Sequence, residues 1–482
     1  MCITTAMATP SLSTHPLLQT RRAGVLLHIT SLPSPFGAGD VGPSAYAFAD
    51  WLATAGVSVW QMLPIGPVGY GDSPYSSPSS FAIEPTFLAL EPLVEEGLLE
   101  KSDLKLPARE AARLLRGDCD FSASRAFRMS RAAKAAEAFA AKNGAKSAEY
   151  KRFLERATWL PAWIDFVAGT DASARAMHAF IQFKLDAQWA QLRAYCAKRG
   201  IALIGDVPIF VTADSADVRA NPELFRLQKN GTPEVLTGVP PDGFSKDGQL
   251  WGHPHYAWDA HRNEKFAWWI SRIACAAERF DLVRIDHFIG FHNAYEVPAG
   301  AKTARKGEWR KAPGRELLTA MSKRFSNLPL IAEDLGALTP EVEALRDDFG
   351  LAGMRIVQNA FWSGKSGDMP HNHPFRAVVY SGTHDNETTE QWWRSRNAAE
   401  KARFRAFAGD GPVHEAMNRI VLASPAALAV LPMQDLLGLG REARMNLPGT
   451  ATGNWKWRML PGAASKRLAA RLRAMIDASG RV

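Results

Sequence analysis

Eight short runs of β-branched and aliphatic residues recur along the chain, and most of them are separated by segments with a helical pattern. Strands that alternate with helices indicate parallel β/α architecture, and eight such units suit a closed (β/α)8, or TIM, barrel of the α/β class. The predicted strands lie at residues 24–32, 58–65, 201–211, 281–288, 328–335, 354–360, 377–385 and 428–437.

Two intervals between the predicted strands are too long for simple crossovers. The interval at about 66–200 is rich in Ala, Lys, Arg and Leu, and it predicts a largely helical subdomain inserted into the barrel. The interval at about 212–262 contains the Gly/Pro-rich run TGVPPDGFSKDGQLWGHPHY. Long loops in compact domains are usually functional, so this second interval is predicted to cover the substrate. Residues 23–482 are thus predicted to form one barrel with two insertions.

Residues 1–22 contain no Asp or Glu, several Ser and Thr, and the pair Arg21 and Arg22. This composition predicts a flexible leader, and an organellar transit peptide is the alternative. The four cysteines are scattered without a CxxC pair, which indicates a reducing compartment. We therefore expect a cytoplasmic protein, with a plastid as the alternative location.

A net charge of +8 raises the question of nucleic acid as a partner. The densest basic stretch, 302–315, is interrupted by Glu308 and Pro313, and it predicts a solvated loop instead of a nucleic-acid surface. No apolar run reaches the roughly 18 residues that a membrane-spanning helix needs. The composition, with 46% hydrophobic and 22% charged residues, is that of a globular protein with a large core.

Polar residues cluster near the carboxyl ends of the predicted strands. In a (β/α)8 barrel these ends form the active-site face, so residues far apart in sequence are expected to converge there. The residues concerned are Asp206, Asp286, Glu333 with Asp334, His384 with Asp385, and Gln434 with Asp435.

Three convergent carboxylates, Asp286, Glu333 and Asp385, suit glycoside chemistry, which needs an ionised nucleophile and a protonated acid. Arg284 lies two residues before Asp286, so both side chains share a strand face and the guanidinium keeps Asp286 ionised. Glu333 follows the apolar run LIA, and burial there would raise its pKa, as a general acid requires. Asp385 could stabilise positive charge on a sugar ring, and His384 could donate a hydrogen bond to it.

Each motif also has a purely structural interpretation. An Arg-x-Asp on a strand is often a satisfied ion pair, and acidic residues after a strand often cap the next helix. Their joint occurrence on successive strands favours a catalytic site. No spacing of His, Cys or carboxylate residues demands a metal, so neither a metal nor an organic cofactor is expected.

The segments RIDHF, IAEDLG and GTHDNETTEQWW together resemble the amylomaltase (4-α-glucanotransferase) family, glycoside hydrolase family 77 of the α-amylase clan. DSPYSSPSSFAIEP, GVPPDGFSKDGQLWGHPHY and RMNLPGTATGNWKWR extend the resemblance from about Gly24 to about Arg458. It implies a (β/α)8 barrel with inserted subdomains and no separate C-terminal β domain.

By this resemblance, Asp286 is the nucleophile, Glu333 the acid/base and Asp385 the transition-state stabiliser, aided by Arg284 and His384. The resemblance also implies residues that contact the donor and acceptor sugars. These are Ser73, Tyr75, Asp206, Phe244, Gln249, Trp251 and Asn446.

The activity implied is transfer of α-1,4-glucan segments between maltooligosaccharides or starch-type glucans by a retaining double displacement. The expected partners are α-1,4-glucan donors and glucose or maltooligosaccharide acceptors, with no nucleic acid and no membrane. A monomer is expected, with a dimer as the alternative. Two other functions remain open at this point: an α-glucan hydrolase of the same clan, and a noncatalytic barrel that binds glucan or nucleic acid.

Overall fold

The computed structural model describes residues 14–241, 245–336, 338–362 and 366–482. This part of the chain forms twelve β-strands and seventeen α-helices, several of them only four to six residues long. The strands are β1 (Arg22–Leu26), β2 (Val59–Gln61), β3 (Ala202–Val207), β4 (Val235–Val239), β5 (Gln249–Pro254), β6 (Leu282–Ile285), β7 (Asn293–Pro298), β8 (Glu308–Lys311), β9 (Leu330–Ala332), β10 (Gly353–Ile356), β11 (Ala377–Tyr380) and β12 (Leu428–Pro432).

Helices separate most of the strands, and none of those described is long and apolar enough to cross a membrane. The helices are α1 (Pro43–Thr54), α2 (Glu91–Glu95), α3 (Ala108–Arg116), α4 (Phe121–Ala141), α5 (Ala148–Arg156), α6 (Leu160–Ala168), α7 (Ala172–Ala197), α8 (Ala216–Ala220), α9 (Trp258–Asn263), α10 (Ala267–Arg279), α11 (Gly314–Ser322), α12 (Pro340–Asp348), α13 (Thr389–Ser395), α14 (Ala398–Ala408), α15 (Val413–Ala423), α16 (Met433–Leu436) and α17 (Lys466–Ala478).

Eight strands form one parallel sheet in the order β10-β11-β12-β1-β2-β3-β6-β9. The two ends of this order also meet, because Ile331 of β9 bridges Ala352 and the N–H of Ala332 donates to the Ala352 carbonyl at 2.9 Å. The sheet therefore closes, and the predicted (β/α)8 barrel is confirmed. All eight strands come from the eight predicted runs.

The barrel strands are buried along their length, which explains why they are so apolar. Every residue of β6, β11 and β12 is buried, as expected for parallel strands covered by helices on one side and barrel core on the other. The strands are shorter than the predicted runs. Polar residues at the ends of those runs, such as Asp286 after β6 and Glu333 after β9, lie just outside the ladders.

Between β2 and β3 the chain forms helices α2 to α7, of which α4 and α7 are the longest. Asp171 begins α7 by accepting the backbone N–H groups of Ser173 and Ala174, a common N-terminal cap. The buried residues Leu185 and Trp189 of α7 belong to the main core. This long segment therefore packs on the barrel, in part through α7.

A second sheet was not predicted from the sequence. Its four strands pair antiparallel in the order β5-β4-β7-β8. Strands β4 and β5 come from the interval 212–262, whereas β7 and β8 come from residues 293–311. The prediction of a solvated loop at 302–315 is wrong in part, because this stretch contains β8 and the start of α11. No hydrophobic pattern marks β8 in the sequence, because all four of its residues are exposed at the edge of the sheet.

The predicted leader ends earlier than residue 22. Pro16–Leu18 form a 3-10 helix, and Leu18 is buried in the main core. Arg21 donates hydrogen bonds to the carbonyls of Leu422, Ser424 and Ser479, and β1 already begins at Arg22. The leader prediction is thus wrong for residues 16–22, which pack against the barrel, while residues 1–13 lie outside the described part of the chain.

Candidate active site

The carboxyl ends of neighbouring barrel strands bring the predicted acidic residues together. Asp206 lies in β3, while Asp286 and Glu333 directly follow β6 and β9. Backbone hydrogen bonds extend the pairing beyond the strands: the Asp286 N–H donates to the Val207 carbonyl at 3.0 Å, and the Glu333 N–H donates to the Ile285 carbonyl at 3.1 Å. These residues are therefore held at one mouth of the barrel.

Arg284 bridges two of these carboxylates. Its Nη1 lies 2.7 Å from Oδ2 of Asp206, and its Nη2 lies 2.8 Å from Oδ1 of Asp286. Burial favours loss of the guanidinium proton, but Asp206 and Asp286 outweigh it and raise the pKa of Arg284 well above its ordinary value. The Asp286 side chain is 29% exposed, against 1% for Asp206. The ion pair with Arg284 therefore orients the Asp286 carboxylate, which remains accessible at the barrel mouth.

Glu333 is buried beside this pair. Its Oε2 accepts the backbone N–H of His287 at 2.7 Å, and its Oε1 accepts that of Leu335 at 2.9 Å. Burial, with a further contribution from the negative charge of Asp286, raises the pKa of Glu333 to about 7, although Arg284 and the two N–H groups act in the opposite direction. This agrees with the raised pKa expected from the sequence, and it makes Glu333 suited to give and take a proton near neutrality.

Asp385 lies in the segment that follows β11, where a second set of contacts fixes it. Its Oδ1 accepts a hydrogen bond from Nδ2 of Asn446 at 2.6 Å, and its Oδ2 lies 3.3 Å from Nε2 of His384. The backbone N–H of Asn446 also donates to the His384 carbonyl at 3.0 Å. The Asp385 side chain is 40% exposed, so it remains accessible to a ligand.

Tyr75 connects the two groups of carboxylates. Its hydroxyl donates to Oδ2 of Asp206 at 2.7 Å, and its ring stacks on the His384 imidazole with centroids 5.0 Å apart and an interplanar angle of 14°. The Ser73 hydroxyl accepts the Tyr75 N–H at 3.2 Å, so Ser73 supports the turn that carries Tyr75. Tyr75 thus contacts both Asp206 and His384, and His384 in turn contacts Asp385.

Gln249 and Trp251 approach from the second sheet. Both lie on β5, where the Trp251 indole N–H donates to Oε1 of Gln249 at 3.3 Å. The Trp251 ring meets the His287 imidazole edge to face, with centroids 4.8 Å apart. His287 directly follows Asp286, so β5 reaches the side of the mouth where the nucleophile candidate lies. Phe244 lies outside the described residues.

Sequence reasoning missed His287 and Trp455. His287 adopts a left-handed conformation with φ 52°, and burial lowers the pKa of its imidazole to about 4. Its Nε2 is buried and has no hydrogen-bond partner among the described residues. Trp455 contacts both Tyr75 and His384. Their positions in RIDHF and GNWKWR were the only signals available.

Two other acidic residues near strand ends have structural roles. Asp334 forms an ion pair with Arg346 and accepts the Met354 N–H at 2.6 Å. Asp435 accepts hydrogen bonds from the side chain of Ser381 and from Thr389. For these two residues the structural interpretation holds. Among the described residues, no group of three or more His, Cys, Asp or Glu could hold a metal ion.

Comparison with known proteins finds relatives over nearly the whole chain. A family model described as 4-alpha-glucanotransferase matches residues 27–176 and 169–463. The chain is 43% identical to the 4-alpha-glucanotransferase of Thermus thermophilus, over 96% of this chain and 99% of that protein. It is 37% identical to the chloroplastic/amyloplastic 4-alpha-glucanotransferase of Arabidopsis thaliana, over 96% of this chain and 86% of that protein.

Solved structures show the same similarity. The amylomaltase from Streptococcus agalactiae in complex with acarbose superposes with a TM-score of 0.91 at 33% identity, over 96% of this chain and 99% of that chain. The amylomaltase from Corynebacterium glutamicum has a TM-score of 0.81 at 18% identity, over 95% and 76% of the two chains. The second likeness shows the shared fold alone.

Proposed function

Since this chain belongs to the 4-alpha-glucanotransferase family, we propose that it transfers α-1,4-glucan segments from a donor glucan to an acceptor sugar, with the strand-end carboxylates as its catalytic groups. The observation that carries this proposal is the neighbouring pair formed by Asp286, which Arg284 orients, and the buried Glu333. A retaining mechanism needs one ionised and one protonated carboxyl group. Asp286 lies against the positive charge of Arg284, whereas burial favours the protonated form of Glu333.

In the first step, a carboxylate oxygen of Asp286 attacks the anomeric carbon of the donor. Glu333 gives its proton to the departing glycosidic oxygen, so that a covalent β-glucosyl enzyme forms and the reducing-end fragment leaves. Positive charge develops on the sugar ring in the transition state, and the carboxylate of Asp385 stabilises it. Asn446 and His384 keep that carboxylate in place.

In the second step, Glu333 takes the proton of the acceptor 4-hydroxyl. The acceptor oxygen then attacks the anomeric carbon, the bond to Asp286 breaks, and the α-configuration is restored. Two successive displacements at one site predict ping-pong kinetics. Water competes with the acceptor for the intermediate, so transfer depends on sugar binding and on exclusion of water.

We assign the binding groups to two sides of the mouth. Tyr75, Ser73 and Asp206 serve the donor sugar, because pyranose faces stack on aromatic rings and pyranose hydroxyls need buried polar partners. Gln249 and Trp251 serve the acceptor side. On this assignment the segment 66–200 contributes to the donor side and the segment 212–262 to the acceptor side. Phe244 belongs to the second segment.

Incubation with maltotriose tests the proposal. Transfer gives a ladder of longer maltodextrins together with free glucose, whereas a hydrolase gives glucose and maltose alone. A protein that binds maltotriose and leaves it unchanged would be a noncatalytic glucan-binding barrel. Either of the last two results would overturn the proposed transfer.

The pH dependence gives a separate prediction. Glu333 must carry a proton when the glycosidic oxygen leaves, and burial raises its pKa to about 7. We therefore expect kcat/KM for maltotriose to fall as the pH rises through about 7. The measurement is a pH profile of initial rates with the wild type and Glu333→Gln. A wild-type profile that stays flat across neutrality, or a falling limb that persists unchanged in Glu333→Gln, would contradict the assignment.

We further propose a cytoplasmic monomer, with a plastid as the alternative location. Support for a reducing compartment comes from the described cysteines, since Cys119, Cys196 and Cys275 are all free thiols. Size-exclusion chromatography with light scattering tests the oligomeric state, and fractionation of the source cells tests the location.

A further inference from the structure

Trp455 is a buried residue of the barrel mouth that the mechanism above does not use. It is 6% exposed, and its φ of 64° lies in the left-handed region. A bulky residue rarely adopts this conformation, because it costs free energy that surrounding contacts must offset. Such outliers concentrate at functional sites, so the contacts that hold Trp455 bear on what it does.

Those contacts are with Tyr75, which is assigned to the donor side, and with His384, which holds Asp385. The Trp455 ring centroid lies 5.6 Å from that of Tyr75 and 5.9 Å from that of His384, with interplanar angles of 38° and 37°. Tyr75 and His384 stack on each other at 5.0 Å. The three rings therefore contact one another in pairs, and Trp455 limits the movement of the other two.

The chain segment around Trp455 also holds Asp385. The backbone N–H of Trp455 donates to the Met445 carbonyl at 2.7 Å. The next residue, Asn446, donates from its side chain to Asp385 at 2.6 Å. The segment is closed by Asn454, whose Oδ1 accepts the Leu447 N–H at 3.0 Å. One closed loop thus contacts the donor aromatic residue and the transition-state stabiliser.

The same loop touches the loop that carries Tyr75. A Cβ atom built on Gly71 would lie 2.7 Å from the carbonyl oxygen of Ala451, so the two backbones approach closely at this point. Gly71 also has a φ of 67°, which favours glycine. The Tyr75 loop is therefore supported at its ring by Trp455 and at its backbone by Ala451.

We propose that Trp455 is a positioning residue, which fixes the stacked Tyr75 ring and His384 imidazole as one wall of the donor-sugar site. This proposal rests on the proposed function and deepens it. Small displacements of groups that orient a substrate lower rates by as much as about 100-fold. Because Tyr75 is assigned to contact the donor sugar and not the reacting bond, loss of the Trp455 ring is expected to raise KM for maltotriose more than it lowers kcat. A less tightly held donor site should also admit more water, which increases the share of hydrolysis over transfer.

The test compares Trp455→Phe and Trp455→Ala with the matched variant Trp457→Phe. Trp457 is 7% exposed and lies two residues further along, and among the described ring contacts none joins it to Tyr75 or His384. We expect kcat/KM to fall about 10- to 100-fold in Trp455→Ala, with partial recovery in Trp455→Phe. Trp457→Phe should keep wild-type KM and the wild-type share of hydrolysis.

Binding measurements separate this proposal from the proposed function. Maltotriose binding is measured calorimetrically in the Asp286→Asn background, without a tryptophan change, with Trp455→Phe and with Trp457→Phe, after circular dichroism has shown that the three proteins are equally folded. Weaker binding with Trp455→Phe but not with Trp457→Phe supports the positioning role even if the wild type proves to be no transferase. Equal binding in all three proteins, or equal losses from the two tryptophan changes, would overturn it.

Discussion

Asp286→Ala is expected to lower kcat for maltotriose disproportionation by about 10^4-fold or more, the scale seen when a catalytic nucleophile is removed. Asp286 is the more accessible of the two carboxylates that pair with Arg284 among the described residues, and alanine leaves nothing to form the covalent intermediate. The loss should fall on kcat, because the proposed sugar contacts of Tyr75 and Trp251 remain.

Chemical rescue of Asp286→Ala with azide tests specifically whether Asp286 is the nucleophile. Azide can enter the space left by the carboxylate and attack the same face of the sugar, so Asp286→Ala with azide should yield a β-glucosyl azide. The matched control is Asp477→Ala on α17, where the half-exposed carboxylate pairs with Arg473 and should be dispensable for activity. Wild-type transfer by Asp286→Ala, or an α-configured azide product, would contradict the assignment of the nucleophile.

Glu333→Gln is expected to lower kcat/KM for maltotriose by about 10^3-fold, within the range typical of a lost general acid. Glutamine keeps the shape of the side chain but has no proton to give to the leaving oxygen. With α-glucosyl fluoride as donor the loss of the first step should be much smaller, because fluoride departs without protonation.

Comparison of the two donors measures the role of the proton directly. Single-turnover rates with maltotriose and with α-glucosyl fluoride are determined for the wild type, Glu333→Gln and the control Glu343→Gln, whose side chain is exposed on α12. Equal losses with both donors in Glu333→Gln would show that the substitution disturbs the site as a whole, and the acid/base assignment would fail.

The barrel could be predicted because its strands are apolar for a physical reason. Strands that are buried on both faces, such as β6 and β12, produce unbroken hydrophobic runs, and the helices between them produce a regular alternation. The ends of those runs also indicated the candidate site, because an unpaired charge is costly to bury and a charged residue directly after a buried strand is expected at the barrel mouth. Asp286 and Glu333 are examples.

The second sheet could not be predicted in the same way. Its strands come from two distant segments. The edge strand β8 is exposed along its whole length, so its sequence has no alternation of apolar and polar residues that would predict a strand. The pattern of residues alone also does not separate the roles of adjacent acidic residues. Glu333 and Asp334 both follow the same buried strand, but in the structure Asp334 pairs with Arg346. His287 and Trp455 adopt backbone conformations that only tertiary contacts can enforce.

The charge balance around Arg284 restricts what kind of donor the enzyme can use. One guanidinium faces the carboxylates of Asp206 and Asp286, and Asp385 lies at the same mouth. A sugar phosphate or a nucleotide sugar would bring further negative charge beside these carboxylates and be repelled. Uncharged polysaccharide meets no such barrier. Each transfer to a sugar acceptor then forms one glucosidic bond for each one that it breaks, whereas each hydrolysis event lowers their total number by one.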